Sequence, residues 1–135
     1  MPWQRVSPEE ARVRLVLLKE GVRRKVGALE ARLAKKKAPL EKALAEYRKV
    51  LEHLRRLEKE GRYPEAVLRS ALAREELRIR YAEQEITRLE EAHRQAASRI
   101  ITQARLKAAR LAALAKMEEA LDHLFPLPEK EESHA

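Results

Sequence analysis

The stretch that decides the fold is Gly61-Arg62-Tyr63-Pro64. Glycine favours the left-handed conformation that ends a helix, and proline fits the first turn of the next helix. Toward the N-terminus, no other strong helix stop appears before Ser7 is reached. Toward the C-terminus, no Gly or Pro occurs from 65 to 125. Because two long helices joined by so short a turn must lie antiparallel, the sequence predicts an all-α fold, a long antiparallel two-helix hairpin.

The outer ends of the hairpin also have recognisable signals. Ser7-Pro8-Glu9-Glu10 has the pattern of a helix start, in which Ser7 caps, Pro8 takes the first position and Glu10 completes a capping box. Pro126-Leu127-Pro128 predicts the end of the second helix. The predicted organisation is an N-terminal arm over 1–7, a helical hairpin over 8–125 (helix 8–60, turn 61–63, helix 64–125) and a flexible charged tail over 126–135.

The composition is typical of a coiled coil. Ala, Glu, Leu, Arg and Lys make up 93 of the 135 residues. The chain has no Cys, which excludes a disulfide scaffold, a zinc–cysteine site and a cysteine nucleophile. Only three glycines are present, which argues against a β-sandwich or a dinucleotide-binding domain. The lack of Asn and Cys beside much Arg and Glu suits a thermophile.

Apolar residues recur at the seven-residue spacing of a coiled coil. In the first helix one series is Val26, Leu33, Leu40, Tyr47 and Leu54, and the interleaved series is Val22, Leu29, Lys36, Ala43, Val50 and Leu57. The second helix has Ile79, Ala82, Ile86, Leu89, His93, Ala96 and Ile100, then a phase slip near 100–104 that we interpret as a stutter. Lys36, near Arg88 in the predicted pairing, either meets Glu85 or Glu90 or extends to solvent.

Pro39 lies inside the first helix and leaves two interpretations open. Proline removes a backbone hydrogen bond and clashes with the preceding turn. The helix therefore either kinks near Pro39 or breaks into helices over 8–37 and 39–60. Because the heptad phase continues from Leu33 to Leu40, the sequence favours one kinked helix.

Charge is concentrated at the end of the hairpin away from the turn. The chain has a formal net charge of +8, and no acid occurs from 92 to 117. The hairpin brings this region beside the basic region 12–37, so we expect an acidic partner there. Three of the cations, Arg94, Arg105 and Lys116, are spaced by 11 residues and share one stripe. The predicted partner-binding residues are Arg12, Arg23, Arg24, Lys25, Arg94, Arg99, Arg105, Lys107, Arg110 and Lys116.

The same end is too apolar for a hairpin standing alone. The first helix is apolar on nearly all sides near Leu15, and alanines give the second helix a smooth face from 108 to 115. We therefore predict a homodimer in which two hairpins form a four-helix bundle. The predicted oligomer interface consists of Val13, Val16, Leu17, Ala109, Ala112 and Ala113.

No motif in the chain predicts catalysis. Glu90 and His93 have the Glu-x-x-His spacing of helical di-iron sites, but such sites need a second pair and two further carboxylates. No glycine motif for nucleotides and no Ser–His–carboxylate set is present. We expect no enzyme activity, no cofactor and no metal. No apolar run approaches the ~20 residues that span a bilayer, and a cytoplasmic location without membrane insertion is expected.

Taken together, these features predict a non-enzymatic coiled-coil interaction or adaptor protein whose basic end docks to an acidic protein. In length, hairpin plan and basic charge the chain resembles small export-apparatus coiled coils and the helical stalks of rotary ATPases. That resemblance implies an assembly, scaffold or stalk-like role and assigns no functional residue. The alternative is a nucleic-acid-binding protein, or a regulator of nucleic-acid machinery, that contacts phosphates without strong sequence specificity.

Overall fold

The structure is a computed structural model that describes residues 6–115. It contains two long helices that pack against each other, α1 over Pro8–Glu60 and α2 over Glu65–Ala115. No strand occurs within 6–115. The prediction of an all-α protein with two long helices is therefore confirmed. The predictions for most of the arm, for Lys116, for the end of the second helix near 125 and for the tail lie outside the described residues.

The start of α1 is capped by Ser7. The amide of Glu10 donates a hydrogen bond of 3.1 Å to Ser7 Oγ, and the amide of Ala11 donates one of 2.9 Å to the Ser7 carbonyl. Ser7 thus satisfies two of the amides that a helix start leaves without partners. The Glu10 carboxylate pairs with Arg14 one turn further along.

The turn between the helices depends on Gly61. Its φ of 69° lies in the left-handed region, where a residue with a Cβ would be strained. The Pro64 carbonyl then accepts the amides of Val67 and Leu68, both at 3.2 Å, and α2 follows. The two residues that we used to predict the turn therefore take part in ending one helix and starting the next.

Pro39 lies inside α1, which is continuous from Pro8 to Glu60. The alternative of two separate helices over 8–37 and 39–60 is therefore wrong. A proline in a helix interior leaves the carbonyl four residues before it without its usual donor. Pro39 itself lies on the exposed side of α1. Water can satisfy that carbonyl, which explains why the helix continues.

The chain forms two compact units. The turn unit comprises residues 30–94, and the end unit comprises 1–29 and 95–135, of which 6–29 and 95–115 are described. The buried core of the turn unit consists of Leu44, Leu51, Leu68, Ala82 and the carboxylic acid Glu75. Three ion pairs join α1 to α2 in this unit, namely Lys37–Glu90, Arg48–Glu83 and Arg55–Glu76.

The contact face of α1 in the turn unit differs from the predicted one by a residue. Lys36 and Val50 are exposed, whereas Lys37 is half-buried and Leu44 and Leu51 are buried. An α-helix has 3.6 residues per turn, so a strict seven-residue series drifts by ~20° per heptad. From the second heptad after Val22 the following residue is the more buried one, at Lys37, Leu44 and Leu51, which corrects the second predicted series.

The end unit has a core of small side chains. Its buried apolar residues are Ala11, Leu15, Ala104, Ala108 and Ala112. Alanine methyls let two helices approach closely, because interaxial distance depends on the side chains at the contact. The smooth alanine face that we expected another hairpin to cover is thus partly used inside the chain. Several larger apolar side chains of this unit remain exposed.

Candidate functional site

A groove between α1 and α2 lies in the end unit, and we call it the end groove. Its volume is about 170 Å³. Leu17, Leu18, Gly21, Val22 and Lys25 line it from α1, and Ile100, Gln103, Ala104 and Lys107 line it from α2. The groove therefore has a mixed lining, in which apolar side chains of both helices stand beside Gln103 and two lysines, one from each helix.

Helical spacing explains why these residues meet. On each helix the lining residues recur at three- and four-residue intervals, which places them along one side. Gly21 keeps the groove open, because a Cβ at this position would meet nothing within 4 Å. The site thus follows from a position without a side chain next to larger apolar residues.

The electrostatics of the end unit are strongly basic. Its described residues include 10 cations and only three acids, Glu9, Glu10 and Glu20. Glu10 pairs with Arg14, and Glu20 lies 3.6 Å from Arg23. No carboxylate from residues 6–115 lines the end groove. Lys25 and Lys107 therefore present their charge to a groove of mixed lining that contains no acid from the described residues.

Two further arginines extend the basic side of α2. Arg99 precedes Gln103 by four residues, and Arg110 follows Lys107 by three, so all four share one side of the helix. Within the described range, neither arginine has an ion pair. A ligand seated in the end groove would meet a row of cations along α2.

The other predicted cations are distributed more widely. Arg12, Arg24 and Arg105 are exposed in the end unit outside the end groove, and Arg23 is paired with Glu20. Arg94 belongs to the turn unit and pairs with Glu91, which lies just before the acid-free region that we identified. The predicted stripe through Arg94, Arg105 and Lys116 includes residues of both units and one residue outside the described range, and it stays a prediction.

The predicted oligomer interface divides into exposed and buried residues. Val13 and Leu17 are 59% and 60% exposed, and Val16, Ala109 and Ala113 are exposed as well. Ala112 is only 1% exposed and lies in the core of the end unit. It is therefore not on a free surface, which corrects its assignment to the interface. Periodicity could not separate Ala112 from its neighbours, because alanine occurs on every side of this helix.

Sequence reasoning missed Leu106, which is 63% exposed beside Lys107. The usable signal was its position, since an apolar residue between two cations is poorly placed for a core. Leu17 and Leu106 give the end unit exposed apolar surface near its cations. An exposed apolar patch with a charged rim is typical of a protein interaction site.

A second groove, in the turn unit, was also missed. It has a volume of about 370 Å³ and is lined by Leu40, Ala43, Tyr47, Leu77, Arg78, Tyr81 and Ala82. The guanidinium carbon of Arg78 lies 5.9 Å from the centre of the Tyr47 ring, within the range of a cation–π contact. The predicted neighbourhood of Tyr47 and Leu77 was the available signal, since both line this groove.

Polar groups at the helix contact of the turn unit are held by neighbours. Lys37 Nζ lies 2.9 Å from Glu90 Oε2, and this hydrogen bond raises the pKa of Lys37 above its ordinary value. A hydrogen bond from Arg88 lowers the pKa of Glu85, and the same bond raises the pKa of Arg88. Lys37, rather than the predicted Lys36, is the lysine that meets Glu90.

Two buried polar atoms of the turn unit have no hydrogen-bond partner among the described residues, Glu75 Oε2 and His93 Nδ1. The other carboxylate oxygen of Glu75 accepts a 3.0 Å bond from Arg78. Glu75 lies seven residues from both Leu68 and Ala82, so the heptad spacing was the signal for its burial. In the described part of the chain no three His, Cys, Asp or Glu residues are grouped to hold a metal ion.

Three kinds of known protein were compared with this chain. No protein-family model, no curated protein and no solved structure matches it. Neither helix, over the residues described, has a stretch long and apolar enough to cross a membrane. The function of this protein is therefore inferred from its own grooves, charges and exposed side chains.

Proposed function

We propose that the chain is a non-enzymatic interaction protein that binds an acidic, amphipathic segment of a partner protein in the end groove. The observation that carries this proposal is that Lys25 on α1 and Lys107 on α2 line the same groove, together with apolar side chains of both helices. A partner would place apolar side chains over Leu17 and Val22. Its carboxylates would then meet the lysines at the rim.

The chemistry of the groove favours a protein segment over a small molecule. Leu17, which lines the groove, and Leu106, elsewhere in the end unit, are both mostly exposed, so this unit offers apolar surface that a partner can cover. Covering such surface gains ~25 cal/mol for each Å² removed from water. Rim charges add specificity and speed of association more than affinity. An acidic amphipathic helix supplies both kinds of contact.

Binding to nucleic acid is the alternative, and the observation that favours it is the row of cations along α2. Arg99, Lys107 and Arg110 could contact phosphates at helical spacing. Against it, the aromatic residues that the structure describes, Tyr47, Tyr63 and Tyr81, all belong to the turn unit. Single-strand binders stack bases on aromatic rings, and the described part of the end unit has none.

One titration separates these functions. The two probes are a fluorescent acidic peptide with leucines at helical spacing and a fluorescent random DNA duplex, each added to the full chain over a range of salt. Our proposal predicts saturable peptide binding that K25E/K107E weakens by about tenfold or more. Tight duplex binding that falls steeply with salt, with no peptide binding, would support the alternative instead.

The matched control for this variant is K42E/K49E. Lys42 and Lys49 are exposed lysines of the turn unit, and the double change alters the net charge by the same amount. We expect the control to bind the acidic peptide almost as the wild type does. An equal loss in both variants would mean that net charge, and not the end groove, determines binding.

The proposal also includes a dimer, a kinked helix and a location. We infer a homodimer in the form of a four-helix bundle, supported by the exposed Val13, Val16 and Leu17. We also infer a kink of α1 near Pro39 and a cytoplasmic location. The variant L17E, which puts a charge on the exposed face, should then lower the mass of the particle in solution. An unchanged mass would reject the dimer through this face.

A further inference from the structure

We propose that the acidic segment 118–125 of a second copy of the chain occupies the end groove when no other partner is bound. This inference rests on the proposed function, because it uses the same groove and the same lysines. The homodimer would then form through this contact, and the segment of the second copy would compete with the acidic partner for the end groove.

The segment has the composition that the end groove requires. It reads Glu118-Glu119-Ala120-Leu121-Asp122-His123-Leu124-Phe125, with three acids and three large apolar residues. Leu121, Leu124 and Phe125 are spaced by three and four residues, as along one side of a helix. Glu118 and Asp122 are four apart beside that apolar row. Such a segment can place apolar groups on Leu17 and Val22 and carboxylates near Lys25 and Lys107.

The net charges of the end unit and of the region that contains the segment are opposite in sign. The described residues of the end unit carry a net charge of +7, from 10 cations and three acids. Residues 116–135 contain six acids and two cations, a net charge of −4. Arg99 and Arg110, which have no ion pair within 6–115, extend the basic side toward such a ligand. Opposite fields of this kind accelerate association and suppress wrong partners.

The connection between groove and segment favours a second copy over the same chain. Helix α2 is described through Ala115, and only Lys116 and Met117 separate it from Glu118. Reversing a helix usually takes two to eight residues that include turn formers such as Gly, Pro or Asn, and neither linking residue is one.

A two-fold dimer fills both grooves with both acidic segments. Each copy contributes one groove and one acidic segment, so the two contacts are identical and the assembly closes. The acidic partner must then displace the segment of the second copy before it can bind. Dimer dissociation and partner binding are coupled, and a high concentration of the chain should weaken partner binding.

The test begins with the mass of the full chain by sedimentation equilibrium. We expect the wild type to be a dimer and E118K/E119K/D122K to dissociate at least about tenfold more easily, because Glu118 and Asp122 would face the lysines and all three changes reverse the charge of the segment. The matched control E129K/E131K/E132K makes the same change in net charge outside the segment and should remain a dimer. A monomeric wild type, or equal dissociation of both variants, would overturn the proposal.

A charge swap makes the test specific. K25E/K107E has an acidic groove and an acidic segment, and E118K/E119K/D122K has a basic groove and a basic segment, so each should be monomeric alone. Mixed together, the two variants should form a heterodimer, since both of its contacts pair opposite charges. Circular dichroism should show equal helicity in both chains. Two well-folded variants that do not associate on mixing would contradict a contact in trans.

The same variants distinguish failure of this inference from failure of the proposed function. E118K/E119K/D122K has a vacant groove, so it should bind the acidic peptide probe more tightly than the wild type does. If it binds the probe through Lys25 and Lys107 but keeps the wild-type mass and affinity, this inference is wrong and the proposed function stands. If it does not bind the probe at all, the proposed function fails as well.

Discussion

Lys37 Nζ lies 2.9 Å from Glu90 Oε2, so an ion pair joins the two helices of the turn unit across 53 positions of sequence. Lys37 also lies 3.8 Å from Glu41, one turn further along α1. Because these acids stabilise the charged amine, the pKa of Lys37 is raised, chiefly by the hydrogen bond to Glu90.

This pair predicts a pH dependence of stability. A lysine with a raised pKa stabilises the fold fully below its unfolded pKa of about 10.4, and the contribution disappears as pH rises through the higher folded pKa. Glu90→Gln should therefore lower the melting temperature at about pH 8, and the difference from the wild type should fade as the pH rises through the raised pKa of Lys37. Thermal melts followed by circular dichroism measure both.

The control for this prediction is Glu83→Gln. Glu83 lies 3.2 Å from Arg48 on the other helix, and an arginine keeps its charge throughout this pH range. The effect of Glu83→Gln should persist at the alkaline end, whereas that of Glu90→Gln should not. Equal persistence of both effects would show that the charge of Lys37 is not the cause.

Gly21 predicts opposite effects on stability and binding. It lines the end groove and has open space where a Cβ would lie. Gly21→Leu should stabilise α1 by about 0.5–1 kcal/mol, because leucine is the better helix former. The new side chain would fill the groove, so binding of the acidic peptide probe should weaken by about tenfold or more.

Gly27→Leu is the matched control, since Gly27 is also in α1 with open space around it and does not line the groove. It should raise stability by a similar amount and leave probe binding unchanged. Chemical denaturation and fluorescence titration give the two quantities. Equal binding by both variants would show that the probe does not enter the end groove.

Replacing leucine by alanine should affect the free energy of unfolding much more at the buried Leu15 than at the exposed Leu17. Leu15 is fully buried, so Leu15→Ala should reduce the free energy of unfolding by about 2–5 kcal/mol. Leu17 is mostly exposed, and Leu17→Ala should change it by less than about 0.5 kcal/mol when measured at high dilution. Denaturant melts at two protein concentrations test this. A large effect of Leu17→Ala at high dilution would refute its exposed position.

Pro39 predicts a stabilising substitution. Because α1 continues through it at an exposed site, Pro39→Ala restores a backbone hydrogen bond and should raise the free energy of unfolding by up to about 3 kcal/mol. Paramagnetic labels at 31 and 49 should also move apart if the substitution removes the proposed kink. A loss of stability would show that the proline ring has a packing role.

The fold was predictable from the sequence because its signals are local. Ser7 and Gly61 act through their own backbone neighbourhoods, so their effects can be read without knowing what lies across the hairpin. The residues that face the partner helix were harder to predict. The shift from Lys36 to Lys37 arises from the gradual drift between 3.5 and 3.6 residues per turn, which no single heptad reveals.

The candidate site could be predicted only in part. The excess of positive charge is visible in the sequence, but the meeting of Lys25 and Lys107 depends on the alignment of two helices across the hairpin. That alignment depends on which residues of 6–29 face which residues of 95–115, and the spacing within either helix does not give it. Ala112 illustrates the same limit, since a small apolar residue suits a core and a surface equally well.

The alanines at the centre of the end unit have a thermodynamic consequence. Ala104, Ala108 and Ala112 lose no side-chain rotamer entropy on folding, but each removes little apolar area from water. The alanines of the end unit therefore contribute little to its free energy of unfolding. A ligand that covers its exposed leucines should add substantially to that free energy. The midpoint of denaturation of the end unit should rise with the concentration of whatever binds it, which makes heat resistance a direct measure of occupancy.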